Sequence, residues 1–414
     1  MDQQLTFDPQ LPDLPLVFEL DAVARLFEQR WPGPGQVAIR TRRLQDVKYR
    51  PAERCVAVYE LLVEQPGTPP WPTIGVVAIG PDGPALRLFD ADPQLPGLAR
   101  AADPAEMRAR FEPLLGAVES CLTTPVRYKP GARCVFRYDL RGPSGQQTVF
   151  GKLLAQGGER LMATVTALHE ASQATPALPR IPRPLAYWPD LQMLAQPAVA
   201  GGELNERAFD PAEEPAVRER WLRAAGACLA ALHTLIGVEG PLRTLDDDLG
   251  ELEEYVAPMA LANPSLAARY AQLATMIADL MPGQPEPAAV ASHGTFRTDQ
   301  FLIEGARLVM IDLDSFCWAN PARDLGNFLG YLDWKAIRKP ADAAFIEHVG
   351  QVFLDGYRAT GPSLDQRWLA LYRSAAMLKI AGRRFRALTA REWPLVPRLL
   401  DTAEATLARI AAEG

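Results

Sequence analysis

Late in the chain, polar and acidic residues recur with a spacing that suits phosphoryl transfer. Ser292-His293-Gly294-Thr295-Phe296-Arg297-Thr298-Asp299-Gln300 reads as a loop. Phe301-Leu302-Ile303, the tight turn Glu304-Gly305-Ala306 and the apolar run Leu308-Val309-Met310-Ile311 then form a hairpin that enters Asp312-Leu313-Asp314. Moving a phosphoryl group requires a carboxylate beside the nucleophile and oxygen ligands for magnesium. A hairpin that returns Asp312 to the side of the loop supplies that geometry. An isolated Asp after an apolar strand is usually a turn residue, but the Asp324-Leu325-Gly326 that follows argues against coincidence. Asp314 is either a second ligand or a cap for the next element.

Lys152 is the second candidate, because it follows a β-hairpin and precedes a helix, where an ammonium can reach a phosphate. The turn Lys129-Pro130-Gly131-Ala132-Arg133 is a weaker phosphate signal, since it holds a single glycine. His293 reads as a loop brace and His233 as a packed helix residue, not as bases. The acidic run Asp246-Asp247-Asp248 with Glu251, Glu253 and Glu254 would suit a cationic substrate, although such runs are more often solvated faces. Arg383, Arg384 and Arg386 read as a helix surface.

The elements that position these residues begin with an internal repeat. The segments 47–61 and 126–140 share Val, Tyr, Pro, Arg, Cys, Val, Tyr and Leu in register, and each reads as strand, turn and strand. Aligning Gly75 with Gly151 places Val76 where the second copy has Lys152, so only the second copy offers the lysine. Leu161, Val165 and Leu168 mark a helix, 191–197 a strand that leaves the sheet as a hinge, and Trp221, Ala225, Cys228, Leu229 and Leu232 a core helix. Proline-rich breaks fall at 65–72 and 282–287. The division is an accessory β-rich domain at 1–118, a working N-lobe at 119–196 and a mainly helical lobe at 197–414.

Composition sets the outer limits. The 414 residues, 48% hydrophobic and 22% charged, are enough for two or three packed lobes. Five cysteines without C-x-x-C spacing point to a reducing cytoplasm, with neither a disulfide framework nor a zinc site. The residues 1–15 carry no basic-then-apolar leader, and no apolar run reaches the roughly 18 residues of a membrane helix. A net charge of -7 disfavours nucleic acid as a partner and favours a small or cationic one.

Over roughly residues 125–390 the chain resembles the aminoglycoside phosphotransferase and choline-kinase-like family, whose members carry His-Gly-Asp, four residues, Asn, then Ile-Asp and a downstream Asp-Leu. The resemblance implies an α+β, bilobal, protein-kinase-like fold, here with an extra N-terminal β-rich domain that duplicates part of the N-lobe. It implies ATP and Mg2+ as cofactors and a small-molecule hydroxyl as acceptor. Carried over by position, Asp312 is the principal magnesium ligand, Gln300 stands at the metal-binding Asn, Asp324 braces the loop and Lys152 holds phosphate. Gly131 and Arg133 lie in the phosphate-covering loop, and Glu159 is the helix partner of Lys152, with Thr164 and Glu170 competing for that register. Thr295 occupies the place of the catalytic Asp, and a threonine hydroxyl is no useful base near neutral pH. Asp299 is the one candidate replacement. Two readings stay open: a slow or atypical phosphotransferase, or a pseudokinase that binds nucleotide or peptide, with the N-terminal sheet as docking surface.

Overall fold

The computed structural model describes residues 8–31, 37–143, 145–281 and 286–412. The expectations about a leader at 1–15 and about the break at 282–287 therefore each fall in part outside the described residues.

In the first unit the helix Leu20–Gln29 buries Val23, Ala24 and Phe27 along one face. That face covers an antiparallel sheet of four strands in sequential order, β1 (Ala38–Arg50), β2 (Arg54–Glu64), β3 (Trp71–Gly80) and β4 (Gly83–Leu88). A second unit repeats the plan. Its helix, Pro104–Leu115, starts where the Asp103 carboxylate accepts the N–H groups of Ala105 and Glu106 at 2.7 and 3.1 Å. It covers β5 (Ser120–Lys129), β6 (Arg133–Gly142) and β7 (Gly145–Leu154), which continue into β8 (Ala186–Trp188) and β9 (Met193–Pro197) in the order β5-β6-β7-β9-β8.

The two units match in register and in anchoring. Tyr49 lies opposite Cys55 as Tyr128 lies opposite Cys134. In both hairpins the turn needs a left-handed residue, Ala52 at φ 60° and Gly131 at φ 68°. Asp8 accepts from the Tyr49 hydroxyl at 2.7 Å and from the N–H of Ala52 at 2.9 Å. Asp92 does the same for Tyr128 at 2.6 Å and Gly131 at 2.7 Å. Tyr59 and Tyr138 each donate to a main-chain carbonyl, of Val17 and Ala101, both at 2.8 Å. The repeat therefore includes Asp-Pro-Gln-Leu-Pro at 8–12 and again at 92–96.

Two expectations change. Ladder pairing sets Ala78 opposite Val56 and Lys152 opposite Val135, so Ala78, not Val76, holds the place of the lysine. The glycine alignment slipped by two because β2 and β3 are joined by a longer connection than β6 and β7. Met107 and Phe111 of the second helix pack with Tyr138 and Phe136, so the stretch from Asp92 to residue 118 belongs with the second sheet.

The helical lobe follows. The helix Pro215–His233 lies against Ala343–Arg358, and Ala322–Arg338 against Gln366–Arg386. Gly226 and Gly356 permit the first pairing, since a Cβ at either would strike the backbone of the other helix. Strand β1 also touches the helices Val256–Ala262 and Gln366–Arg386, so the first unit reaches from the second unit to the helical lobe. No helix among the described residues is long and apolar enough to cross a membrane.

Candidate active site

The loop that carries Thr295 is held from below by packing and from behind by hydrogen bonds. Phe296 is fully buried among Phe301, Phe328 and Phe353, with ring centroids at 5.5, 5.9 and 5.4 Å. The buried Asp324 carboxylate accepts the N–H of His293 at 2.7 Å and that of Gly294 at 2.8 Å. Burial opposes its charge, but the bond from His233 and the fields of His233, His293 and Arg323 hold its carboxyl below the ordinary range. His293 Nε2 lies 3.0 Å from the Ile311 carbonyl, which can only accept, so that nitrogen keeps its proton. His293 thus links the loop to the end of the hairpin. His233 is buried in its helix between Asp324 and the Tyr357 hydroxyl.

On the other side of the same glycine, Arg323 donates to the Gly294 carbonyl at 2.5 Å. Its fork also meets both oxygens of Asp248, at 2.7 and 2.9 Å. Burial works against this guanidinium, and Asp248 outweighs it, so the group stays charged. The sequence reading missed this clamp because Asp248 sits in the acidic run. An arginine beside Asp324 in an otherwise apolar helix start was the available signal. Of the rest of the run, Asp247 accepts the N–H of Thr244 at 2.8 Å, Glu251 pairs with Lys379 at 2.5 Å and Glu254 with Arg386 at 3.1 Å, while Asp246 and Glu253 are exposed.

The hairpin Phe301–Glu304 with Arg307–Met310 delivers Asp312 in a left-handed conformation, φ 62° and ψ 50°. A non-glycine residue held there is strained, which the surrounding structure must enforce. Lys152 Nζ reaches Asp312 Oδ1 at 2.8 Å and Asp314 Oδ1 at 2.6 Å, and Arg133 reaches Asp314 Oδ2 at 2.5 Å. Burial raises the Asp312 carboxyl, but the Lys152 ammonium and then Arg133 outweigh it and hold it at about 2. Two cations from the second sheet and two carboxylates from the helical lobe thus close the cleft from opposite sides.

The remaining candidates are placed differently. Thr295 is half-buried on the loop. Gln300 is buried, and its side-chain oxygen accepts the N–H of Arg297 at 2.7 Å, so it closes the loop and does not face Asp312 as a free ligand. Asp299 is bound by the Arg297 guanidinium, with contacts of 3.0 Å to each of its oxygens. The N–H of Gly131 is taken by Asp92, which leaves it unable to bind phosphate. Glu159 does not pair with Lys152. It is exposed in the first turn of the helix Gly158–Ala174. Thr164, its rival, is buried in that helix and Glu170 is exposed, so the carboxylates of the loop take the lysine instead.

The profile of the phosphotransferase enzyme family matches residues 152–362, from the lysine through the whole of this site. The chain belongs to that family. No curated protein matches it significantly in sequence. Among solved structures, a Ralstonia eutropha protein classed with the aminoglycoside phosphotransferases is 16% identical, covers 72% of this chain and 97% of its own, and has a TM-score of 0.51. Spectinomycin phosphotransferase is 14% identical over 73% of this chain and 98% of its own, with a TM-score of 0.49. A choline/ethanolamine kinase family protein from Mesorhizobium loti is 16% identical over 74% and 98%, with a TM-score of 0.47. At such identities the likeness concerns the fold, which is that of the bilobal phosphotransferases, with the N-terminal β-sheet unit as an addition.

Proposed function

We propose that this family member is an ATP- and magnesium-dependent phosphotransferase acting on a small-molecule hydroxyl, and that it is slow because Thr295 replaces the base. The observation that carries the reading is the convergence of Lys152, Arg133, Asp312 and Asp314 at one point of the cleft. The donor set fits magnesium: it is all oxygen, and an ammonium already bridges the two carboxylates where a cation would sit. Among the described residues no cluster of three or more His, Cys, Asp or Glu could hold a metal, so phosphate oxygens and water would complete the shell. Magnesium bound there would neutralise charge on the phosphates.

The chain's own residues do the rest in this reading. Lys152 and Arg133 turn from the carboxylates to phosphate oxygens. Asp324 and Arg323 hold the Gly294–Thr295 backbone, and Thr295 gives the acceptor a neutral hydrogen bond but takes no proton. Loss of a base removes about 10²–10⁴ in rate, which positioning and charge neutralisation can survive in phosphoryl transfer. The free cysteines are consistent with a reducing cytoplasm.

The engagement of Gln300 and Asp299 within their own loop favours a second reading, a pseudokinase that binds nucleotide without efficient transfer. Phosphate release from ATP separates the two. A slow native rate that rises in Thr295→Asp supports the phosphotransferase. Nucleotide binding without release in either protein supports the pseudokinase. A native rate of about 1–100 per second that Asp299→Asn destroys would contradict the assignment of Thr295 as a defect.

A further inference from the structure

Asp312 and Asp314 meet the same lysine, but they are left in different states. Lys152 Nζ takes one oxygen of Asp312 at 2.8 Å, and the other oxygen bonds to no described residue. Asp314 has no oxygen to spare: Oδ1 accepts from Lys152 at 2.6 Å and Oδ2 from Arg133 at 2.5 Å. It is also the more enclosed of the two, with its side chain 14% exposed against 37% for Asp312. Arg133 begins β6 in the second sheet unit and Asp314 follows the hairpin of the helical lobe, so their bond ties the two lobes across the cleft.

Two further observations concern Arg133. Its Nε–H is buried and has no acceptor, because the guanidinium meets Asp314 through Nη1 alone. A guanidinium presents its N–H groups as a rigid fork that fits two oxygens of a carboxylate or phosphate at once, so this pairing leaves Nε out. A donor stranded in this way is costly, and a ligand with several oxygens relieves the cost. The first sheet unit offers a comparison. Its Arg54 stands opposite Arg50 as Arg133 stands opposite Lys129, yet Arg54 is exposed and in no ion pair among the described residues. An arginine at this place is therefore not required to be paired for the hairpin to close, and what sets Arg133 apart is Asp314.

We propose that Asp314 is a built-in occupant of the phosphate site: its carboxylate holds Arg133 in the nucleotide-free chain, competes with ATP for it, and must be displaced before the cleft takes the phosphates. The N–H of Gly131 is taken by Asp92 and that of Ala132 by the Lys129 carbonyl, so the side chains of Arg133 and Lys152 carry the phosphate contact on this side. Holding Arg133 therefore withholds one of the two cations on which binding depends. Asp312 keeps an oxygen open for a cation, while Asp314 sets how strongly the cleft resists a nucleotide. The inference rests on the nucleotide role proposed above, adds a self-inhibiting contact to it, and does not require transfer to occur.

The test is calorimetric titration of the full chain with ATP in EDTA, where no metal coordination contributes, for the native protein, Asp314→Asn, Arg133→Gln and the double variant. Asp314→Asn leaves Lys152 paired with Asp312, so it does not threaten the fold. It should bind ATP at least about tenfold more tightly than the native chain. Removing a negative charge would favour ATP even without the self-inhibiting contact, so the double variant decides: with Arg133→Gln already present, the same change should gain less than about threefold. Without nucleotide, hydrogen exchange in the turn 129–133 should quicken in either single variant and no further in the double. An equal gain in both backgrounds, no gain in Asp314→Asn, or unaltered exchange overturns the proposal. If the native chain meanwhile binds ATP with magnesium, the proposed function stands without the self-inhibition. No ATP binding by any of these proteins, with or without magnesium, overturns both.

Discussion

Val76 and Phe150 hold the same place on the third strand of the two sheet units, two residues ahead of Ala78 and Lys152. Val76 is 1% exposed within an apolar cluster that also holds Leu95, Phe111 and Phe136 of the second unit, whereas Phe150 is 37% exposed on the face that presents Lys152 to the cleft. Across the ladder, buried Val58 corresponds to exposed Arg137. One backbone plan thus carries two surfaces, one used to join units and one kept open and charged. The shared parts are instructive for the same reason. The anchor of Asp, Tyr and turn N–H occurs also in the unit where Ala78 stands in place of Lys152, so in both units its direct task is to fix the hairpin.

The largest effect that would break this comparison is at the anchors. Asp8→Ala and Asp92→Ala each strand a buried tyrosine hydroxyl and an N–H, and each should lower unfolding free energy by about 2–4 kcal/mol in urea titrations. Only Asp92→Ala should also weaken ATP binding, because its turn leads into Arg133. Equal effects on binding would mean that the first unit shares in the site. Next comes Val76→Ala, expected to cost about 2 kcal/mol as a buried contact between units, against less than about 0.5 for Phe150→Ala in the same assay. A reversal would show that the exposed face is the structural one. Smaller still, Tyr59→Phe and Tyr138→Phe should each cost about 1 kcal/mol, and a clear inequality would argue that the duplicated bonds differ in role.

The last effect, reduced by solvent screening because the Asp312 side chain is 37% exposed, is on the acid limb. Asp312 titrates at about 2 when folded, below its unfolded value of about 3.9, so its ionised form stabilises the fold. That contribution is complete above about pH 4 and fades as pH falls toward 2. Asp312→Asn should flatten the fall in stability over this interval. Ala78, which holds the place of Lys152 in the first unit, offers no such pairing, so Ala78→Ser should leave the limb unchanged. An unchanged limb in Asp312→Asn would mean that the Lys152 pair is not formed in solution.

The strands of the repeat, the loop at 292–300 and the hairpin into Asp312 were legible because short-range pattern determines them. The Asp-Pro-Gln-Leu-Pro motif was equally plain in the letters and was missed, because the stretch between it and its strand differs in length between the copies. The partner of Lys152 was not legible: whether an ammonium meets Glu159 or Asp314 depends on how two lobes lie, and no local pattern encodes that distance. The Arg323–Asp248 clamp hid for a related reason, since burial of a charge in an acidic run is decided by tertiary packing alone.

The central claim is that the second unit holds the nucleotide and the first does not. Calorimetric titration of ATP with magnesium into the native chain and into Lys152→Ala tests it directly. The account predicts one nucleotide per native chain and none, or affinity lower by at least about tenfold, in a folded Lys152→Ala protein. Two nucleotides per chain, or one bound with unchanged affinity without the Lys152 ammonium, would contradict it.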